Sequence, residues 1–148
     1  MGDFFNEFTN NRIFLAAAVA WTTAQVFKVI LTYLVDKELK LERMHGSGGM
    51  PSAHTATIVS ASTAIGIVEG WSSSIYALSL IMAFIVMYDA SGVRRSVGKQ
   101  AQLLNSIILD LYKNKHFEEE KLKELIGHKP TEVVVGAILG IIIANIIV

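Results

Sequence analysis

The chain has 148 residues, enough for one domain, and 52% of them are hydrophobic. A mean hydropathy of +0.46 is high for a soluble domain of this size, so the composition predicts an integral membrane protein. The sequence has no cysteine, which excludes disulfides, thiolate metal sites and cysteine nucleophiles. Thirteen basic and thirteen acidic residues give a net charge of zero, which argues against nucleic acid as a partner.

Four apolar segments follow one another along the chain. The first, residues 13–35, is long enough to cross about 30 Å of hydrocarbon at about 1.5 Å per residue. Residues 74–88 and 131–148 are also strongly apolar, whereas residues 53–69 carry many hydroxyl side chains and form the weakest predicted span. The pattern predicts an all-α bundle of about four transmembrane helices in one membrane-embedded domain, residues 1–148.

A long polar stretch, residues 89–130, separates the third and fourth spans. Within it, residues 101–112 and 117–126 each place their apolar side chains on one helical face. We therefore predict two amphipathic helices that lie on the membrane surface or cap the bundle.

The basic residues are distributed unevenly over the predicted topology. If all four spans cross, residues 36–52 and 89–130 share one membrane face, which carries eleven of the thirteen Lys and Arg residues. Arg12 lies on the opposite face, and Lys28 lies inside the first span. Because cytoplasmic loops are enriched in Lys and Arg, this distribution predicts that the basic face is the cytoplasmic side of a cell membrane.

A glycine-rich segment precedes the second span and ends in Pro51, Ser52 and His54. Gly48 and Gly49 permit a tight turn, and the free N–H groups at the start of the following helix attract anions. His54 could act as a general acid at the membrane edge. An ordinary loop with Ser52 as a helix cap fits the same residues equally well.

Charged residues also follow the third span and occupy the first. Asp89 opposes the dipole at the carboxyl end of a helix, so we expect it to pair with Lys28 or with a nearby arginine. Arg94 and Arg95 can clamp phosphate oxygens, although a basic flank beside a span has the same composition. Lys28 is expected to point into the bundle, with extension of its ammonium group to the membrane edge as the alternative.

The fourth span is introduced by His128, Pro130 and Glu132. With Pro130 in the first turn, His128 and Glu132 can share a helical face, so that the carboxylate would orient the imidazole of a histidine nucleophile. Alternatively, Glu132 compensates the helix dipole and His128 is an exposed loop residue. All three polar blocks flank spans on the same membrane face, which predicts that they form one site.

Three stretches of the sequence resemble a known family. They are Gly-Gly-Met-Pro-Ser-Ala-His at 48–54, Tyr-Asp-Ala-Ser-Gly-Val-Arg-Arg at 88–95 and Gly-His-Lys-Pro-Thr-Glu at 127–132. In this order they are similar to the divergent membrane branch of the type-2 phosphatidic acid phosphatase and vanadium haloperoxidase superfamily. The resemblance implies a phosphatase-like enzyme that hydrolyses a phosphate ester or pyrophosphate, of a lipid or another membrane-adjacent molecule, through a phosphohistidine and with no metal or other cofactor.

The resemblance also implies roles for single residues. His128 corresponds to the nucleophile, Glu132 to its orienting acid and His54 to the general acid that protonates the leaving group. Departures from the family pattern include Ala53 in place of glycine and Glu132 in place of aspartate. Ser52 corresponds to a phosphate ligand, Arg94 or Arg95 to the arginine of the third block, and Lys28 or Arg43 to the cations of the first block.

Two other functions fit the same residues. A non-catalytic membrane protein could keep the anion pocket for ligand binding or assembly, and a small transporter could use Lys28 and Asp89 as a translocation path. The parent superfamily usually has six spans, so a homodimer is expected to complete a four-span bundle. The pattern Gly136-x-x-x-Gly140 offers a close-packing face for that dimer, or for packing within one chain.

Overall fold

The computed structural model describes residues 9–37, 49–112 and 127–148. No strand occurs among these residues, which confirms the predicted all-α class. The helices that build the fold are α1 (Arg12–Asp36), α2 (Ala53–Glu69), α3 (Ser74–Ser91), α4 (Val93–Tyr112) and α5 (Pro130–Ile147).

Local sequence determines where these helices begin. Asn11, Ser52 and Ser73 are the N-cap residues of α1, α2 and α3, and each side-chain oxygen accepts a hydrogen bond from a backbone N–H of the first turn. Helix α5 begins at Pro130. Proline suits this position because an N–H in the first turn of a helix has no intrahelical acceptor, so its absence costs no hydrogen bond. The second predicted span therefore coincides with α2, and the fourth predicted span differs from α5 by one residue at each end.

The helices α1, α2, α3 and α5 run from one end of a bundle to the other. At one end, the Ser52 N–H donates to the Glu132 carbonyl at 3.0 Å, so that α2 and α5 start side by side. At the other end, the Arg12 guanidinium donates to the Val148 carbonyl at 3.2 Å, so that α1 starts where α5 finishes. We call these two ends of the bundle the Ser52 end and the Val148 end.

Helix α2 is the central helix of the bundle and packs against α1, α3 and α5. Three other stretches are long and apolar enough to cross a membrane, namely Arg12–Leu34, Ser74–Ile108 and Pro130–Ile147. Helix α2 has 17 residues, which is about 25 Å of helix. Its buried residues are all threonine or smaller, which brings its neighbours close: Ala53, Thr55, Ala56, Ser60, Ser62, Ala64 and Gly66.

The contact between α2 and α5 depends on two glycines. A Cβ atom at Gly136 would lie 2.6 Å from the carbonyl oxygen of Ser52, and one at Gly140 would lie 2.6 Å from that of Ala56. Both separations are too short for any real side chain, so α5 reaches α2 only because these positions lack one. The Gly136-x-x-x-Gly140 pattern thus packs within one chain. These two glycines are therefore not available as the contact surface of a homodimer.

Helix α4 begins well before the amphipathic helix that the sequence predicts, and a single residue, Gly92, separates it from α3. The apolar periodicity could not reveal this start, because residues 93–100 are mainly polar and basic. The predicted apolar face is present, with Leu103, Leu104 and Ile107 exposed to 62%, 48% and 45%. The second predicted amphipathic helix, 117–126, lies outside the described residues.

Candidate phosphate site

Segments that are distant in sequence meet at the Ser52 end of the bundle. The His128 N–H donates to the Ala90 carbonyl at 2.9 Å, and the Ser52 N–H donates to the Glu132 carbonyl at 3.0 Å. The segment that leads into α5 is therefore held between the last turn of α3 and the start of α2. The three polar blocks of the sequence lie side by side at this junction.

Two imidazole rings face each other here. The ring centroids of His54 and His128 are 6.1 Å apart, and the ring planes are nearly perpendicular, at 88°. His54 is exposed in the first turn of α2, whereas His128 is only 2% exposed. The interpretation of His128 as an exposed loop residue is therefore wrong, because the backbone bond to Ala90 holds the residue inside the bundle.

The separation of the two rings suits one phosphate group. Attack on phosphorus starts from about 3–3.5 Å, and proton donation to an oxygen works at about 2.6–3.2 Å. With centroids 6.1 Å apart, the rings of His54 and His128 are near enough for both to contact one phosphate group placed between them.

Ser52 is fully buried at the start of α2. Its Oγ accepts a hydrogen bond from the Thr55 N–H at 3.4 Å and another from the Thr55 hydroxyl at 3.0 Å. Since the Ser52 hydroxyl acts as an acceptor in both bonds, its proton can be donated to an anion. Thr55 was not predicted from the sequence, although the Ser-x-x-Thr spacing at a helix start was the available signal.

Lys28 is 3% exposed and passes beside the glycine-rich segment. A Cβ atom at Gly49 would lie 3.3 Å from Cγ of Lys28, and the φ of Gly49 is +89°, a conformation that favours glycine. Lys28 therefore points into the bundle, as predicted. Gln25, which shares its helical face, is 8% exposed and was left out of the predicted site.

The two carboxylates near His128 differ in their surroundings. Glu132 Oε2 accepts a hydrogen bond from the Lys129 N–H at 3.1 Å, so this side chain caps its own helix. That is the dipole-compensating role that the sequence offered as the alternative for Glu132. Asp89 lies in the last turn of α3, next to Ala90, whose carbonyl oxygen holds the backbone of His128.

Three of the predicted phosphate ligands are arginines. Arg94 and Arg95 form the start of α4 directly after Gly92, and their side chains lie outside the described residues. Arg43 and Gly48 also lie outside the described residues.

Two helix amino ends meet at the junction, because α2 starts at Ala53 and α5 at Pro130. The N–H groups and the dipole at each helix start favour negative charge. Lys28 adds a basic side chain from α1, and Ser52 adds a hydroxyl. The junction is therefore chemically suited to an anion such as phosphate.

Known proteins resemble this chain over most of its length. The profile of the divergent PAP2 family matches residues 9–143. An uncharacterized membrane protein of Bacillus subtilis (strain 168), YuiD, is 36% identical over 152 aligned residues, which cover 95% of this chain and 96% of YuiD. No solved structure matches the chain.

Proposed function

The chain belongs to the divergent PAP2 family, and on that premise we propose that it is a membrane phosphatase acting on a phosphate ester or pyrophosphate. The observation that supports this best is the 6.1 Å separation of the His54 and His128 rings. The rings lie where two helix amino ends meet, so an anion would be attracted to the atoms that react with it.

The proposed reaction has two steps. A ring nitrogen of His128 attacks phosphorus, a P–N bond forms, and the P–O bond to the leaving group breaks while protonated His54 gives its proton to the leaving oxygen. Water then attacks the phosphohistidine, and His54, now neutral, takes a proton from that water. The P–N bond breaks, inorganic phosphate leaves, and both histidines return to their starting states.

Binding of the phosphate oxygens is assigned to groups on three helices. The Ser52 hydroxyl is proposed to donate a hydrogen bond, the dipoles at the starts of α2 and α5 attract the anion, and Lys28 supplies positive charge. Gly49 lets the loop backbone approach the ligand closely, and we assign the same role to Gly48. Three arginines are proposed to complete the clamp: Arg43, Arg94 and Arg95.

The position of the site favours a substrate at the bilayer surface. Helices α2 and α5 start near the level of Ser52 and α3 ends there, so a phosphate carried by a lipid headgroup would enter at the right depth. The basic residues concentrate on this side of the membrane. We therefore assign the site to the cytoplasmic face of the cell membrane.

Release of inorganic phosphate by the purified protein tests the function. In detergent solution, with phosphatidate, a polyprenyl diphosphate and p-nitrophenyl phosphate as substrates, we expect turnover that vanadate inhibits, because vanadate mimics the five-coordinate transition state. Saturable vanadate binding without turnover of any substrate would contradict the proposal and favour a non-catalytic anion-binding protein. Flux into proteoliposomes that requires Lys28 and Asp89 would favour a transporter.

Asp89 is the carboxylate that we assign to orient His128, because the carboxylate of Glu132 is already engaged by the start of α5. The variant Asp89→Asn is expected to lower kcat roughly 10- to 100-fold with little change in KM, as the loss of an orienting partner does. Glu132→Gln keeps an oxygen that can cap the helix, so its kcat should stay close to that of the parent protein. The opposite order of the two kcat values would return the orienting role to Glu132.

A further inference from the structure

A groove opens on the side of the bundle between α3 and α5, with α2 as its floor, and we call it the α3–α5 groove. Its volume is about 450 Å³, within the range of about 300–1,000 Å³ that is usual for ligand pockets. The walls include Leu80 and Met87 from α3 and Ile141 from α5. The groove therefore has the size of a small-molecule site and is built from membrane-spanning helices.

The groove has the length of one membrane leaflet. It begins at Trp71 and Tyr76, near the Val148 end, and extends to Met87. Between Tyr76 and Met87 helix α3 rises about 17 Å, and half of the hydrocarbon core of a bilayer is about 15 Å thick. Since α3 as a whole rises about 27 Å and Ala90 follows Met87 by one turn, the groove crosses the middle of the bundle.

Polar and aromatic groups lie at the end of the groove that is near the Val148 end of the bundle. Trp71 and Tyr76 pack edge to face with ring centroids 5.0 Å apart, and Asn145 lies close to the end of α5. Tryptophan and tyrosine prefer the boundary between hydrocarbon and headgroups. Farther along, Ala83 and Met87 make the walls apolar, so the polarity of the groove changes along its length as that of a lipid does.

The Ser62 hydroxyl at the floor of the groove is satisfied inside the protein. The Oγ atoms of Ser62 and Ser79 are 3.0 Å apart, and the Ser79 hydroxyl also donates to the Tyr76 carbonyl at 2.8 Å. A buried hydroxyl with protein partners needs no polar group from a ligand. A hydrocarbon chain can therefore lie beside Ser62 without leaving its hydroxyl unsatisfied.

We propose that the α3–α5 groove binds one hydrocarbon chain of a membrane lipid whose polar part lies at the Val148 end, beside Trp71, Tyr76 and Asn145. This lipid is distinct from the substrate of the histidine site, which lies at the opposite end of the bundle. A helix of a second copy is about 10–12 Å across, whereas α3 and α5 contact each other directly. The narrow space between them suits a chain better than a helix.

Photocrosslinking in lipid nanodiscs tests the assignment in the unmodified protein. The probe is phosphatidylcholine with a diazirine group in the middle of one acyl chain. We expect the crosslinked peptides to concentrate at Leu80, Ala83, Met87 and Ile141, with far less labelling at Phe27, an exposed residue of α1. Equal labelling of the exposed faces of α1 and α3 would show ordinary boundary lipid and would overturn the proposal.

A matched pair of variants tests the same point. Leu80, 37% exposed, lines the groove, and Leu80→Trp should fill it, lowering crosslinking at Ile141 roughly tenfold. Ile85, 57% exposed, lies on the same helix outside the groove, so Ile85→Trp should leave labelling unchanged. Equal labelling of both variants would contradict the proposal.

A dimer in native mass spectrometry that Leu80→Trp dissociates would identify a second copy as the occupant and overturn the proposal as well.

Discussion

Replacing His128 with alanine is expected to abolish turnover, lowering kcat by roughly 10⁴-fold or more, because the variant has no nucleophile to form the covalent intermediate. The measurement is steady-state release of inorganic phosphate by protein purified in detergent. Since His128 is buried, His128→Gln serves as a second variant that fills most of the same space. Full turnover in either folded variant would remove His128 from the role of nucleophile.

His54 provides the control, because the effect of removing a general acid on kcat depends on the leaving group, whereas removing the nucleophile lowers kcat for every substrate. His54→Ala is expected to lose roughly 10²- to 10⁴-fold in kcat on an alkyl phosphate, whose leaving oxygen needs a proton. The loss on p-nitrophenyl phosphate should be much smaller, because p-nitrophenolate leaves without protonation. Acid-labile phosphate on His128 should also accumulate in His54→Ala, since activation of water is impaired.

Replacing Gly136 with alanine is expected to separate α5 from α2. The new Cβ would lie 2.6 Å from the carbonyl oxygen of Ser52, a backbone atom that cannot turn away. We expect the free energy of unfolding to fall by about 1–3 kcal/mol, the usual cost of overpacking. Phosphate release should fall as well, because the hydrogen bond between Ser52 and Glu132 aligns the two helix starts at the site.

Val134→Ile is the matched control for Gly136→Ala, since it adds one carbon to the same helix at a position that is 58% exposed. Its unfolding free energy, measured by denaturant titration in micelles, should stay within about 0.5 kcal/mol of the parent value. Gly140→Ala should lower stability with less effect on turnover, because its clash is with Ala56, one turn farther from the site. Normal stability and turnover in Gly136→Ala would contradict this account of the packing.

The ends of the membrane spans could be predicted closely for two physical reasons. Hydrocarbon thickness sets the length of an apolar run, and the capping residues Ser52 and Ser73 mark helix starts. Helix α2 was the weakest prediction because hydropathy counts hydroxyl groups as unfavourable. In the structure its Ser60 and Ser62 are buried against neighbouring helices, so hydropathy underestimates how well α2 fits inside the bundle.

Convergence of the polar blocks could be predicted, but their internal geometry could not. Counting membrane crossings places His54, Asp89 and His128 at one end of the bundle whatever the side-chain details are. A spacing of four residues cannot show whether Glu132 faces the imidazole or the N–H of Lys129, and the structure has the second contact. The burial of His128 depends on its bond to Ala90, a contact between residues that are distant in sequence.

The hydrogen bond between Arg12 and Val148 has a practical consequence for handling the protein. It places the start of α1 beside Val148, the C-cap residue of α5, a full bundle length away from the two imidazoles. An affinity tag attached after Val148 would therefore leave the approach to the histidines open. A nanodisc immobilised on a biosensor chip through such a tag would present them to the flowing solution.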